Sequence, residues 1–488
     1  LKKNNLSRHL GLLGLASTGI CSMLGASIYV VPFMIQRNVP GIGPDVLPAF
    51  LVAALPAILA ALAYSILASA MPRAGGSYIY ASRGLHPYLG FVASFSQWFG
   101  LSIVIGVISY VIIPFFRDIA TELNLPQLAS ALDNGTIRVA LSLLLLWAFV
   151  YVNIRGVKSY ERTVIPLMFL MFSLGAVVII AGFSYNHQDF QQAVPSFTLP
   201  EDTSVFNMST FLAAAAILFS SFIGFDSIAQ AGGEAKNPSS ALPKAIAIAV
   251  LTVGGFYFLF TAAVYHAVPW QFIAQEAMNK DITAAGVLSY LLPSGWAILI
   301  VAGAAIALLN DLPAMILSVS RLMFAWAEDG IFPKAISKVS AKHHTPINAI
   351  IGSGVMASIG ILGSHFAGDF FLGIDIMVTS MLVNFLLMCV TVVSLHQHNP
   401  ELAKEVKVIT NRKLQLVIAI TGIVLLTGFL SIHTYKDLTS NVDEWYFHST
   451  PVWLIVMTIA SLVYFRERKA LERKGIDTKA LFSKLPEE

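Results

Sequence analysis

The chain has 488 residues, 56% of them hydrophobic and 12% charged, about half the charged share of a soluble globular protein. Its apolar residues fall in runs long enough to cross a bilayer core, which excludes two or three soluble domains of the same total length. The net charge of +3 follows membrane topology and makes no nucleic-acid-binding patch.

The runs predict twelve transmembrane helices, at about 10–35 (span 1), 46–71 (span 2), 87–116 (span 3), 136–154 (span 4), 163–184 (span 5) and 206–231 (span 6). The second six follow at about 243–266 (span 7), 295–326 (span 8), 346–365 (span 9), 370–395 (span 10), 413–432 (span 11) and 450–466 (span 12). Helix is the required form, because lipid offers no partner to an open backbone N–H or C=O. The first run is longer than a signal-peptide core and lacks a cleavage site, so it reads as span 1. With the N-terminus in the cytoplasm, only Arg37, Arg117, Arg138, Lys280 and Lys436 of the 30 Lys and Arg fall outside. A miscounted span would invert every later loop and destroy that asymmetry. Both termini are therefore expected in the cytoplasm and the chain in the cell membrane.

No loop is long enough for a separate domain. The longest are 117–136, 185–205 and 268–294; 238–243 and 332–346 read as short cytoplasmic connectors, and the tail from Arg466 as a short charged helix or disordered end. Cys21 and Cys389 lie within spans and support neither a disulfide framework nor a metal site.

Span 1 carries Gly19 and then Ser22-Met23-Leu24-Gly25-Ala26-Ser27 near mid-membrane; span 6 carries Ser220-Ser221-Phe222-Ile223-Gly224-Phe225-Asp226 at the same depth. Small residues also allow close helix packing. Two such clusters five spans apart are the mark of a transporter built from inverted repeats with interrupted helices.

Four segments together resemble the amino acid–polyamine–organocation (APC) transporter family. Gly25-Ala26-Ser27-Ile28-Tyr29 is similar to its G-[small]-G-I-F pattern, and Pro72-Arg73-Ala74-Gly75-Gly76-Ser77-Tyr78-Ile79-Tyr80 to its P-R-A-G-G-x-Y-x-Y loop. Phe222, Gly224, Phe225 and Asp226 match F-x-G-F-D, followed by Glu234 and Lys236-Asn237-Pro238. The stretch from Ser320-Arg321 through Ala325, Ala327, Asp329-Gly330 and Pro333 to Thr345-Pro346 resembles the segment that closes the family's span 8.

The resemblance implies an all-α membrane protein with a LeuT-type five-plus-five inverted repeat and broken helices 1 and 6. The repeats would be 1–184 and 206–396, with 412–466 holding spans 11 and 12 and 467–488 the cytoplasmic tail. It places the substrate at the two breaks. There a helix N-terminus suits a carboxylate and a helix C-terminus an ammonium. The amides of Gly25, Ala26 and Ser27 would take the carboxylate, and carbonyls around Ile20, Cys21, Phe219, Phe222 and Ile223 the amine. Tyr29, Phe222 and Phe225 have the depth to close over a ligand, with Tyr29 and Phe222 as gates.

Two departures stand out. Ser27 replaces the second glycine of the span 1 motif and Tyr29 the usual phenylalanine, which keeps amines without an α-carboxylate among the expected ligands. Residues 163–182 hold no Lys, Arg or His where many relatives place a lysine, and the middle of span 8 has no Ser/Thr pair suited to sodium. Span 8 instead carries Asn310-Asp311 ahead of Pro313. An ionisable group inside a span is a functional candidate, so Asp311, and secondarily Asp226, are the candidates for ion coupling. Glu234 reads as a gate or loop partner, and Asp375 as a water-path or interface residue. The expected function is secondary transport of amino acids or small amines by alternating access, as proton symporter, uniporter or exchanger. The alternative is a transport-fold sensor that moves nothing. No H-E-x-x-H, G-x-S-x-G or His/Cys cluster specifies an enzyme, metal or cofactor.

Overall fold

The computed structural model describes residues 6–25, 27–199, 205–279, 282–293, 295–367, 370–442 and 444–487. Among these, 12 helical spans are long and apolar enough to cross a membrane, and they fall on the twelve expected runs: Leu12–Asn38, Gly43–Ala70, Pro87–Glu122, Gly135–Ile154, Val157–Ser184, Met208–Gln230, Pro238–Ala267, Trp296–Glu328, Ile347–Phe366, Leu372–His398, Arg412–Thr439 and Ser449–Arg473. The only β pairing among the described residues is two isolated bridges, Leu10 with Ala235 and Ala74 with Ala231.

Local chemistry sets the helix starts. His86 caps span 3 through its ring and Pro87 fills the first helical position, where a missing N–H costs nothing. Asn134 and Asn411 cap spans 4 and 11. Pro238 opens span 7, so the connector 238–243 is its first turn. The loops contain short helices at Pro126–Asp133, His187–Ala193 and Trp270–Asn279. The tail ends in a helix, Thr478–Ser483, that buries Phe482.

Burial separates a centre from a periphery. In span 1, 88% of the apolar window is buried, and in spans 3 and 10 it is 72%; in spans 4 and 12 it is 28%, so most of their surface faces outward. Span 3 packs along spans 8, 9 and 10, and span 1 lies against spans 7 and 8. The most polar stretches of spans 1 and 6 are thereby placed in the middle of the molecule.

The described residues of span 1 include two helical segments. Leu12–Met23 ends with the Leu24 N–H on the Ile20 carbonyl at 2.8 Å, and Ser27–Asn38 follows. In span 6, the helix Met208–Leu218 tightens into a 3-10 turn, Phe219–Phe222. Ile223 is then extended (φ −76°, ψ 135°), Gly224 takes φ +131°, and helix resumes as Ser227–Gln230.

Candidate functional site

The two irregular stretches touch. Ser22 Oγ and Ser227 Oγ share a hydrogen bond of 2.9 Å. Gly224 lies so close to the Ser22 carbonyl that a Cβ there would collide with it. Its positive φ and this approach both require glycine. Asp226 holds the turn: Oδ1 accepts from the Gly224 N–H at 3.1 Å, and Oδ2 from the Gln97 amide of span 3. Tyr257 of span 7 ties the halves of span 1 together, bonding to the Ser27 hydroxyl and donating to the Met23 carbonyl at 3.3 Å.

A cavity of about 50 Å³ lies at this junction. Span 1 contributes Ser22, Met23, Gly25 and Ser27; span 6, Ser220 and Ile223; span 8, Leu308, Asp311 and Met315. Spans 3 and 10 complete it with Val104, Val107, Ile108, Ile374 and Met377. Asp311 is 3% exposed, and its Oδ1 accepts no hydrogen bond from the protein. Its Oδ2 faces the α-carbon of Gly25, where a Cβ would overlap it. The neighbouring Asn310 turns the other way and donates to Cys21 Sγ at 2.8 Å.

The cavity thus brings together four of the residues singled out in the sequence: Gly25, Ser27, Ile223 and Asp311. Ala26 lies outside the described residues. The other candidates do not line it. The Ile20 carbonyl is used inside its helix and Cys21 faces Asn310. Tyr29 packs edge-on to Phe260 at 5.0 Å, Phe222 edge-on to Phe50 at 5.6 Å, and Phe225 stacks on Phe385 at 4.9 Å. Phe219 lies edge-on to Phe385 and Phe429. Asp226 has both oxygens bonded within the polar network of Gln97, Ser77 and Gln230.

The two ends of the site differ. Toward Asn38 a second cavity of about 310 Å³ shares Ser220 and Ile374 with the first and is lined by Asp375, His433, Lys436 and Asp437. Toward the opposite end lie buried ion pairs. Arg321 reaches Glu234 through two bonds of 2.6 and 3.1 Å, and Arg83 reaches Asp329 through two of 2.6 and 2.8 Å. The tail covers Arg83: the Lys484 carbonyl accepts from its Nε at 3.2 Å, and the Phe482 ring lies 5.3 Å from the guanidinium. Among the described residues no three His, Cys, Asp or Glu side chains converge as metal ligands.

Sequence reasoning missed Tyr257, Gln97 and the apolar wall from spans 3, 8 and 10. Tyr257 and Gln97 are polar groups inside apolar spans, which was a usable signal. The wall carried none, since lipid-facing and cavity-facing positions are equally apolar.

Comparison with known proteins adds a second line of observation. The sequence profile described as amino acid permease matches residues 10–465. Cationic amino acid transporter 4 of Mus musculus is 29% identical over 374 residues, covering 73% of this chain and 55% of that protein. The branched-chain amino acid permease of Bacillus subtilis is 27% identical over 415 residues, covering 83% and 84%. The methylthioribose transporter of the same organism is 24% identical over 493 residues, covering 97% and 96%. The chain therefore spans little more than half the length of the mouse relative and most of both bacterial ones.

Proposed function

Because the chain belongs to the amino acid permease family, whose members are transporters and not enzymes, we propose that it carries an amino acid or a related amine across the membrane by alternating access. The ligand sits in the cavity between Gly25, Ser220 and Asp311. The observation that carries this reading is the meeting of two non-helical stretches, one in span 1 and one in span 6, around a buried carboxylate. Irregular backbone at membrane depth is tolerated where it lines a cavity, and helix ends there supply N–H and C=O groups to a ligand.

The relatives are named for cationic amino acids, branched-chain amino acids and methylthioribose, the last not an amino acid. Family membership therefore leaves the ligand open, and the chemistry of the cavity narrows it. Ser27 begins the second helix of span 1, two residues after Gly25, and the positive end of that helix suits an anionic group or a carboxylate side chain. Spans 1–5 and 6–10 are read as inverted repeats, with spans 1 and 6 as the interrupted helices that divide the work of binding.

The Lys and Arg distribution supports cytoplasmic termini, and the cell membrane is the proposed location. In that orientation the Arg83–Asp329 and Glu234–Arg321 pairs close the cytoplasmic end, and the cavity at Lys436 is an outer vestibule. Transport then requires both ion pairs to separate while the vestibule closes. Asp311, the one carboxylate on the lining among the described residues, is the group to carry a coupled proton.

Counterflow in proteoliposomes tests the proposal. Vesicles loaded with unlabelled ligand should accumulate labelled ligand transiently and saturably. Ligand binding without any uptake would instead identify a sensor.

A further inference from the structure

Among the described residues, the central cavity is lined by a single ionisable acidic or basic side chain, the carboxyl of Asp311. Its lining includes Asp311 and no Lys, Arg or His. The titratable groups that approach Asp311 from other spans are Cys21 of span 1 and Tyr257 of span 7, and neither brings positive charge. Among the described residues no cationic side chain pairs with it, and Oδ1 accepts nothing from the protein although the residue is only 3% exposed. A carboxylate buried in this way needs a partner. The positive end of the helix that starts at Ser27 amounts to only about half a charge.

Of the hydroxyls on the lining, those of Ser22 and Ser27 are engaged with Ser227 and Tyr257, while Ser220 Oγ has no partner within the protein. The Ser27 and Tyr257 hydroxyls share a hydrogen bond, and Tyr257 also reaches the Met23 carbonyl at 3.3 Å. The Asp311 carboxylate faces Gly25, two residues before the start of the helix Ser27–Asn38. A second carboxylate there would meet Asp311 with no cationic side chain between them. Apart from the hydroxyls of Ser22, Ser27 and Ser220, the rest of the wall is apolar, through Val104, Ile108, Met315 and Met377.

We infer that Asp311 is the counterion of the ligand's ammonium group, so that the site takes short aliphatic amines for which the ammonium is obligatory and an α-carboxylate dispensable. This rests on the reading that the central cavity is the transport site. The cavity is small, about 50 Å³, which favours short ligands.

Four probes on one carbon skeleton test it, by calorimetry and ligand-induced thermal stabilisation of the full-length protein in nanodiscs: isopropylamine, alaninamide, alanine and N-acetylalanine. Isopropylamine and alaninamide are expected to bind and N-acetylalanine, which has a carboxylate and no ammonium, to be silent. Asp311→Asn should weaken isopropylamine at least tenfold, and Asp311→Glu should retain part of the affinity. If alanine binds, is lost in Gly25→Val, and neither carboxyl-free amine binds, the inference fails while the site stands. Amine binding that survives unchanged in both Asp311→Asn and Gly25→Val overturns the site itself, as does the absence of binding by every probe. If Asp311→Asn does not fold, the wild-type contrast between alaninamide and N-acetylalanine still decides, since equal binding of the two contradicts an obligatory ammonium.

Discussion

Gly25→Ala is the smallest change that reaches the heart of the site. The added methyl carbon would lie 3.3 Å from Asp311 Cγ and overlap Oδ2 outright, so the carboxylate must leave its place. Backbone escape is limited, because Tyr257 holds Met23 and Ser27 on either side of the glycine. The displaced carboxylate would lose a charge-assisted hydrogen bond to the ligand, worth about 1.5–3 kcal/mol. That corresponds to a Kd raised roughly 10- to 100-fold. The overlap disappears with a smaller partner, so Asp311→Ala should make Gly25→Ala nearly silent, and the two changes should be non-additive. The assay is calorimetric binding of a ligand identified by thermal shift, on protein shown by its unliganded melting temperature to be folded. A folded Gly25→Ala protein with the wild-type Kd would refute the reasoning, because it would show that the ligand does not depend on where the Asp311 carboxylate stands.

Gly224→Ala forces a Cβ onto the Ser22 carbonyl at a positive φ and should destabilise the fold by at least about 2 kcal/mol; an unchanged melting temperature would mean that the two stretches do not touch. Glu234→Gln leaves the Arg321 guanidinium buried without its counter-charge, at about 3–5 kcal/mol, and thermal unfolding in detergent should show a large loss that Glu234→Asp partly restores. Tyr257→Phe removes the hydroxyl that joins Met23 to Ser27 and should cost about 1 kcal/mol, read as a several-fold weaker ligand affinity with little change in folding. Asp311→Asn should abolish the response of uptake to an imposed proton gradient, measured at ligand concentrations scaled to its weaker binding; equal responses in mutant and wild type would place coupling elsewhere.

The twelve spans were legible because bilayer thickness demands long apolar runs, and because each loop's charge checks the parity of all the spans before it. The Ser22–Ser27 and Ser220–Asp226 clusters were legible for a different reason: Gly and Ser are concentrated where backbone meets backbone, as at Gly224 against Ser22. Facing direction was not legible. In a soluble helix the polar side marks the exterior, whereas in lipid both sides are apolar, so nothing distinguished Val104 or Met315 from their lipid-facing neighbours. The aromatic residues show the same difficulty. Tyr29, Phe222 and Phe225 stand at the depth of the cavity, yet each fills space between helices, against Phe260, Phe50 and Phe385. Depth follows from position in the chain, but direction depends on helix rotation, which only the packed partners set. Asp311 could be nominated from sequence because charge inside a span is costly wherever it points. Its contact with Gly25 joins spans seven apart, and no local pattern carries it.

Ser220 lines both the central cavity and the second cavity beside it, which makes it the position that tests alternating access most directly. The measurement is the rate at which Ser220→Cys reacts with a membrane-impermeant thiol reagent applied from each face in turn. The protein with only its two native cysteines, Cys21 and Cys389, both buried, serves as the baseline. Reaction from either face, slowed in both cases by saturating ligand, is the predicted result. Reaction from one face alone, at a rate the ligand leaves unchanged, would contradict a transport site at this cavity.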